Sequence, residues 1–139
     1  MIKLLAILFA ITTAGSIRRT KTNQIVRLYS SQTGRHLTIS SQRVSSTKHI
    51  RNELSEVNFI QTGLNQFAIQ GIKTGHFIKK SNGRKSLKVT SKIEKAEIFT
   101  QEDNSHDNYS VFKLKKNPIC KLIIRKNGKP SISCKNTKN

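Results

Sequence analysis

One phrase recurs three times along the chain: a strand, a turn, a second strand and a second turn. This repetition constrains the fold more than any single residue does. In the middle copy Phe67 and Ile69 alternate with small or polar residues, a turn follows at Thr74-Gly75, Phe77 and Ile78 begin a new strand, and Asn82-Gly83 turns again. Period-2 alternation bounded by turn residues marks strands in hairpins, and Asn-Gly is a strong hairpin dipeptide. Upstream, Val26-Arg27-Leu28 leads to Thr33-Gly34 and Leu37-Thr38-Ile39, so residues 26 and 34 map onto 67 and 75 with a shift of 41. Downstream, Phe112-Lys113-Leu114 leads to Asn117-Pro118, Leu122-Ile123-Ile124 and Asn127-Gly128. A unit of roughly forty residues cannot bury its apolar face alone, so the copies are expected to share one core in a threefold all-β domain. At 139 residues the chain has room for one such domain.

The first fourteen residues read differently. Met1-Ile2-Lys3 gives a positive start, Leu4 to Ile11 is an unbroken apolar run, and Thr12-Thr13-Ala14 ends in a small residue. That is the layout of a secretory signal peptide, with cleavage expected after Ala14 or nearby; the rival reading is an N-terminal β-strand of the domain. A membrane span needs about twenty apolar residues, so the run is too short for one. Residues 15–25 carry Arg18, Arg19 and Lys21 without an apolar rhythm and are expected to form a flexible basic arm. The folded domain is expected over 26–139.

Charge then narrows the class of partner. Removing Lys3 with the leader takes the formal net charge from +19 to +18. All acidic residues lie between Glu53 and Asp107, and the nine basic residues beyond Asp107 have no acidic residue among them. So one-sided a field implies a polyanionic partner, recruited by counterion release and steering. Single-strand nucleic-acid binders interleave basic residues with stacking aromatics. Here Phe59, Phe67, Phe77, Phe99 and Phe112 instead fit apolar core positions of the repeat. For a secreted protein the expected polyanion is a sulfated glycosaminoglycan, with no nucleic-acid partner. The densest candidate site runs from Arg125 through Lys126, Asn127 and Lys129, continuing to Lys135 and Lys138; Lys79, Lys80, Arg84, Lys85 and Lys88 surround the matching turn of the middle copy.

Cys120 and Cys134 are the two cysteines, in a chain bound for an oxidising compartment. A two-residue loop at Asn127-Gly128 would set Lys121 opposite Cys134. A three-residue loop over Lys126, Asn127 and Gly128, with Gly128 left-handed, sets the cysteines opposite each other. A disulfide and a pair of free thiols are the two outcomes. Asn108-Tyr109-Ser110 has the form of a glycosylation acceptor. His36, His49, His76 and His106 are scattered, and no metal-ligand spacing, nucleophile elbow or phosphate-cradling glycine loop is found. His36 and His76 stand beside Gly34 and Gly75 and are expected at equivalent structural positions. A binding module without cofactor or metal is expected, not an enzyme.

Several stretches resemble the fibroblast growth factor family. Arg27-Leu28-Tyr29 with Thr33-Gly34-Arg35-His36-Leu37-Thr38-Ile39 is similar to its opening strands. Ile69-Gln70-Gly71-Ile72-Lys73-Thr74-Gly75 is similar to its central isoleucine-x-glycine-valine-x-serine-glycine stretch. Glu97-Ile98-Phe99-Thr100-Gln101, leading to Asn108-Tyr109-Ser110, resembles the signature region, with Glu97 where the family has a cysteine. Arg125 to Pro130 matches the basic turn before its heparin-binding loop. The resemblance spans about residues 25 to 138. It implies a β-trefoil, six hairpins in three pseudo-repeats, and a secreted ligand of a receptor tyrosine kinase ectodomain and heparan sulfate that stimulates cell growth or migration. It places heparin contacts at Arg125, Lys126, Asn127 and Lys135, with Lys129 and Lys138 nearby, and receptor contacts at Tyr29, Gln101 and Asn108 or Tyr109. The family's Phe-Leu-Pro-type last strand finds no counterpart before Asn139, so a trefoil without its final strand is expected. The alternative is a secreted heparan-sulfate-binding trefoil that does not signal, an antagonist or sequestering protein.

Overall fold

The computed structural model describes residues 2–6, 26–103 and 109–134. The described strands are β1 (Ile2–Ala6), β2 (Val26–Ser30), β3 (Arg35–Ile39), β4 (Val44–Thr47), β5 (Val57–Gly63), β6 (Gln66–Gly71), β7 (Phe77–Lys80), β8 (Leu87–Thr90), β9 (Phe99–Asp103), β10 (Ser110–Leu114), β11 (Lys121–Ile124) and β12 (Pro130–Ser133). Two single 3₁₀ turns, Glu53–Ser55 and Ile93–Lys95, are the helical pieces among the described residues. Strands form where the alternation is cleanest. β2 and β10 each bury their first, third and fifth residues and leave the second and fourth half-buried.

Antiparallel pairings close a ring of six strands: β1 with β2, β2 with β5, β5 with β6, β6 with β9, β9 with β10, and β10 with β1. Closure leaves no free edge in the barrel. The hairpins β3–β4, β7–β8 and β11–β12 stand off this ring. They meet one another, with Ser86 bridged to Ser131 and the Ile132 amide donating to the Lys85 carbonyl at 2.8 Å. A six-stranded barrel with three associated hairpins is a β-trefoil. The three copies expected from the sequence are β2–β5, β6–β9 and β10–β12. β1 supplies the ring position that completes the third copy.

The shared core is one cluster containing Leu28, Leu37, Ile39, Val57, Ile69, Ile78, Phe99, Phe112, Leu122 and Ile132, with members from every copy. Burying such side chains contributes about 1.5–3 kcal/mol each relative to exposure. The first turn repeats atom for atom between copies. The Gly34 amide donates to the Ser30 carbonyl and the Gly75 amide to the Gly71 carbonyl, both at 2.8 Å. Both glycines have positive φ, +71° and +74°, which glycine adopts without a Cβ penalty.

The register corrects one equivalence. Tyr29 pairs with His36 and Gln70 with Phe77, so the shift of 41 maps His36 onto Phe77 rather than His76. Phe77 and His36 are both 6 % exposed. His76 is half-buried, with Nδ1 3.1 Å from the Thr74 carbonyl. An imidazole therefore occupies an apolar position of the repeat.

The Asn-Gly turns also differ from two-residue hairpin loops, because only the glycine of each pair has positive φ. In the β7–β8 turn the Arg84 amide donates to the Ser81 carbonyl at 3.2 Å, and positive φ falls at Gly83, as a type II turn requires. In the β11–β12 turn the Gly128 amide donates to Arg125 and the Arg125 amide to Lys129. That loop has three residues, Lys126 to Gly128. Leu122 pairs with Ile132 and Lys121 with Ser133, which sets Cys120 opposite Cys134, and a disulfide joins them.

β1 lies within the segment expected as a signal peptide; in the full chain it is a strand, paired along its length with β2. The expected basic arm, residues 15–25, lies outside the described residues, as do Asn108, Lys135 and Lys138.

Candidate functional site

The β11–β12 turn presents Arg125, Lys126, Asn127 and Lys129 to solvent around a buried Gly128. The turn is held from inside. The Asn127 Oδ1 accepts from the Lys129 amide at 2.9 Å, and Arg125 Nε donates to Ser131 Oγ at 2.8 Å. A third anchor comes from the first copy: Arg35 on β3 lays its guanidinium over Gly128. Position 128 needs glycine for its φ of +87°, and an added Cβ there would lie 2.9 Å from Arg35 Cζ and displace the guanidinium. Arg35 Nη1 also donates to the Ser46 carbonyl and hydroxyl, both at 3.3 Å, and the Ser46 hydroxyl donates to the Gly128 carbonyl. Arg35 thus brings a further cation to the basic turn. Sequence reasoning missed it because the contact joins the first copy to the last; a spare arginine one residue beyond the Gly34 turn was the available signal.

Beside the turn, a cavity of about 680 Å³ is lined by Gln32 and Thr33 of the β2–β3 turn and by Ile123 to Asn127. Its described lining includes the cations of Arg125 and Lys126 and no carboxylate. The described ion pairs are Arg27–Glu56, Lys73–Glu53 and Lys113–Glu102, and none involves Arg125, Lys126 or Lys129. Cations with no internal partner stay available to an external polyanion.

The middle-copy cluster forms a separate place. Lys79, Ser81, Asn82, Arg84, Ser86 and Lys88 line a cavity of about 380 Å³. A larger neighbour of about 770 Å³ adds Lys80, Lys85, Lys95 and Lys116 and reaches Cys120 and Cys134. Neither shares a lining residue with the cavity at the β11–β12 turn. Among these cavities, lined by described residues, none joins the two basic regions.

Tyr29, Gln101 and Tyr109 fall around one end of the ring. Ile2 pairs with Ser30 on one side and Ser110 on the other, and Ser110 pairs with Asp103. One row therefore crosses β2, β1, β10 and β9, roughly 14 Å from first strand to last at three spacings of about 4.8 Å. Tyr29 and Tyr109 lie next to this row, and Gln101 lies two residues along β9. Gln101 is fixed by its neighbours. Its Nε2 donates to Asp103 Oδ1 at 3.1 Å and to Ser110 Oγ at 3.0 Å, and its carbonyl accepts from Asn65 Nδ2 at 3.2 Å. Asn65 was not singled out from the sequence, and Ser110 only as part of the glycosylation motif and the signature region; the left-handed Asn65, at φ 56°, marks its turn only once the backbone is seen.

Behind Tyr29 sits His36, their ring centroids 5.1 Å apart. Both imidazole nitrogens are buried without a partner. Burial first, and the positive charge of Arg27 second, hold its pKa below the usual 6.5. The unfolded chain takes up this proton first as pH falls. Stability is therefore full above about pH 6.5 and declines below it until the folded-state pKa is reached. Thermal unfolding followed between pH 7.5 and 5 is expected to show this loss. His36→Phe, which places the middle copy's own residue there, is expected to remove that component.

Among the described residues no group of three or more His, Cys, Asp or Glu side chains is placed to hold a metal ion, and no helix is long and apolar enough to cross a membrane. Comparison with curated proteins finds no match. A comparison with protein-family models matches the fibroblast growth factor family over residues 24–139. That match takes in β2 to β12, both turn glycines of the repeat and the basic turn, on a trefoil barrel reached independently from the strand pairings. The chain belongs to the fibroblast growth factor family.

Proposed function

We propose that the chain is a secreted growth-factor-like ligand that binds a fibroblast growth factor receptor ectodomain together with heparan sulfate and so stimulates cell growth or migration. The observation that carries this reading is the family match over nearly all of the trefoil, in a chain whose basic turn takes part in none of the ion pairs among the described residues. Fibroblast growth factors are signalling ligands, not enzymes, and no catalytic role is proposed. In this reading Arg125, Lys126, Asn127 and Lys129, followed by Lys135 and Lys138, grip sulfate groups, and Arg35 stiffens and charges the same surface. Tyr29, Gln101, Asn108 and Tyr109 face the receptor, and Asn108 is a candidate for glycan attachment. Export follows from the leader, with a new N-terminus at Gly15 in protein recovered from culture medium.

The glycan half of the proposal separates from bulk charge by a paired comparison. Lys126→Ala with Lys129→Ala removes two exposed cations of the turn; Lys79→Ala with Lys88→Ala removes two from the middle-copy cluster. By polyelectrolyte arithmetic each contact contributes roughly 0.7–0.9 to the log–log salt slope. The turn variant is expected to lose roughly 1.5 from that slope and on the order of tenfold in affinity for a heparin oligosaccharide. The cluster variant is expected to lose much less. Equal losses would mean that the whole basic surface attracts the glycan and that the turn is no specific site.

A further inference from the structure

The ring position between β2 and β10 is a strand-accepting slot, and we infer that the chain's own N-terminal segment, Ile2–Ala6, is its ligand. This inference rests on the fold and goes beyond the functional reading above.

The register carries it. Ile2, Leu4 and Ala6 pair with Ser30, Leu28 and Val26, which are 1 %, 0 % and 6 % exposed. Lys3 and Leu5 pair with the half-buried Tyr29 and Arg27. Ile2 also pairs with Ser110 of β10, so β1 joins two strands that no other described strand connects. Take β1 away and the ring ends in two edges. Backbone amides and carbonyls of β2 would then lie unpaired beside Leu28, the most buried residue of that strand, and the single pairing with Ser110 of β10 would be lost. Unpaired backbone polar groups next to a core are costly, and exposed edges are templates for another strand. Strand addition to such an edge is an established mode of peptide recognition, with affinity from main-chain hydrogen bonds and specificity from alternate side chains.

The segment suits the slot in length and pattern. It is five residues long, as is β2, and four of its five residues, Ile2, Leu4, Leu5 and Ala6, are apolar. The cut after Ala14 expected of a secreted chain would sever β1 from the domain covalently without dismantling the slot. A chain that keeps its N-terminus therefore carries the ligand in cis, and a chain exported and cut after Ala14 presents the slot empty.

The test uses the full chain 1–139, produced without export and with its disulfide formed. A protease recognition sequence is introduced between Ser16 and Gln24, and the folded protein is cut. The N-terminal fragment is expected to co-elute with the domain on gel filtration and to leave only on unfolding. In the uncut chain Leu4→Pro, which puts a residue disfavoured inside a sheet at the middle of β1, is expected to lower the unfolding temperature by roughly 10 °C. Cutting the Leu4→Pro protein should release the fragment. A fragment that separates from the cut wild-type chain with no change in unfolding temperature would overturn the inference. So would a Leu4→Pro chain as stable as the wild type. Neither readout involves glycan or receptor, so failure here leaves the proposed function standing, and failure of that function leaves this inference standing.

Discussion

Phe112→Ala is expected to lower the free energy of unfolding by about 3–5 kcal/mol, the range for truncating a large aromatic in a core that relaxes only in part. Phe112 is fully buried at the centre of β10. Its ring meets Phe59 of β5 edge-on at 5.8 Å and Phe67 of β6 at 6.0 Å, while Phe59 and Phe67 stack at 4.4 Å. One side chain of the third copy thus locks against the strands that end the first copy and begin the second. Its removal opens a cavity at the junction of all three. Domains of this size are stable by about 5–15 kcal/mol, so the loss is a large fraction of the total. Phe112→Leu keeps most of the volume and is expected to cost about 1.5 kcal/mol or less. Urea unfolding, with the slope unchanged and the midpoint shifted, reads both values. A loss below about 1 kcal/mol for the alanine variant would mean that the copies do not share this cluster.

The second large effect is the disulfide. Cys120 and Cys134 close a loop with a sequence separation of 14, for which the chain-entropy relation gives about 3 kcal/mol. Replacing both by serine is expected to lower the unfolding temperature by roughly 10 °C. A reductant should do the same to the wild-type chain and nothing to the variant. The bond clamps the base of the hairpin whose tip carries Arg125 to Lys129, and Lys121–Ser133 to Ile124–Pro130 pair without it. The hairpin is therefore expected to persist in the variant, with glycan binding weakened less than in the Lys126→Ala, Lys129→Ala protein. Loss of glycan binding larger than that of the charge variant would show that the tip depends on the staple for its shape.

What could be read from the sequence was whatever is local. Alternation in Val26–Ser30, Phe67–Gly71 and Phe112–Leu114 gave strands, Gly34 and Gly75 gave matching turns, and Phe59, Phe67, Phe77, Phe99 and Phe112 pointed inward because each falls on the apolar phase of its strand. The resemblance added the trefoil and the family. Contacts between copies were not legible. Nothing near Arg35 in the sequence says that its guanidinium will rest on Gly128, because that approach depends on how two hairpins from different copies meet. The same holds for Asn65 with Gln101 and for Lys85 with Ile132. His36 misled through proximity: lying close to Gly34, as His76 lies close to Gly75, it suggested an equivalence that a one-residue difference in spacing breaks. In a strand one residue is the difference between faces. The N-terminal run was legible as apolar but ambiguous in purpose, since a leader and a short barrel strand draw on the same residues.

The central claim is that this trefoil is a receptor ligand assisted by a sulfated glycan, and one titration tests it most directly. Protein recovered from culture medium would be bound to a fibroblast growth factor receptor ectodomain with and without a heparan sulfate oligosaccharide, across a range of salt. Saturable binding that the oligosaccharide strengthens and salt weakens is the predicted result. Salt-sensitive binding to the oligosaccharide with no receptor signal at any concentration would contradict it, and would leave a heparan-sulfate-binding trefoil that does not signal.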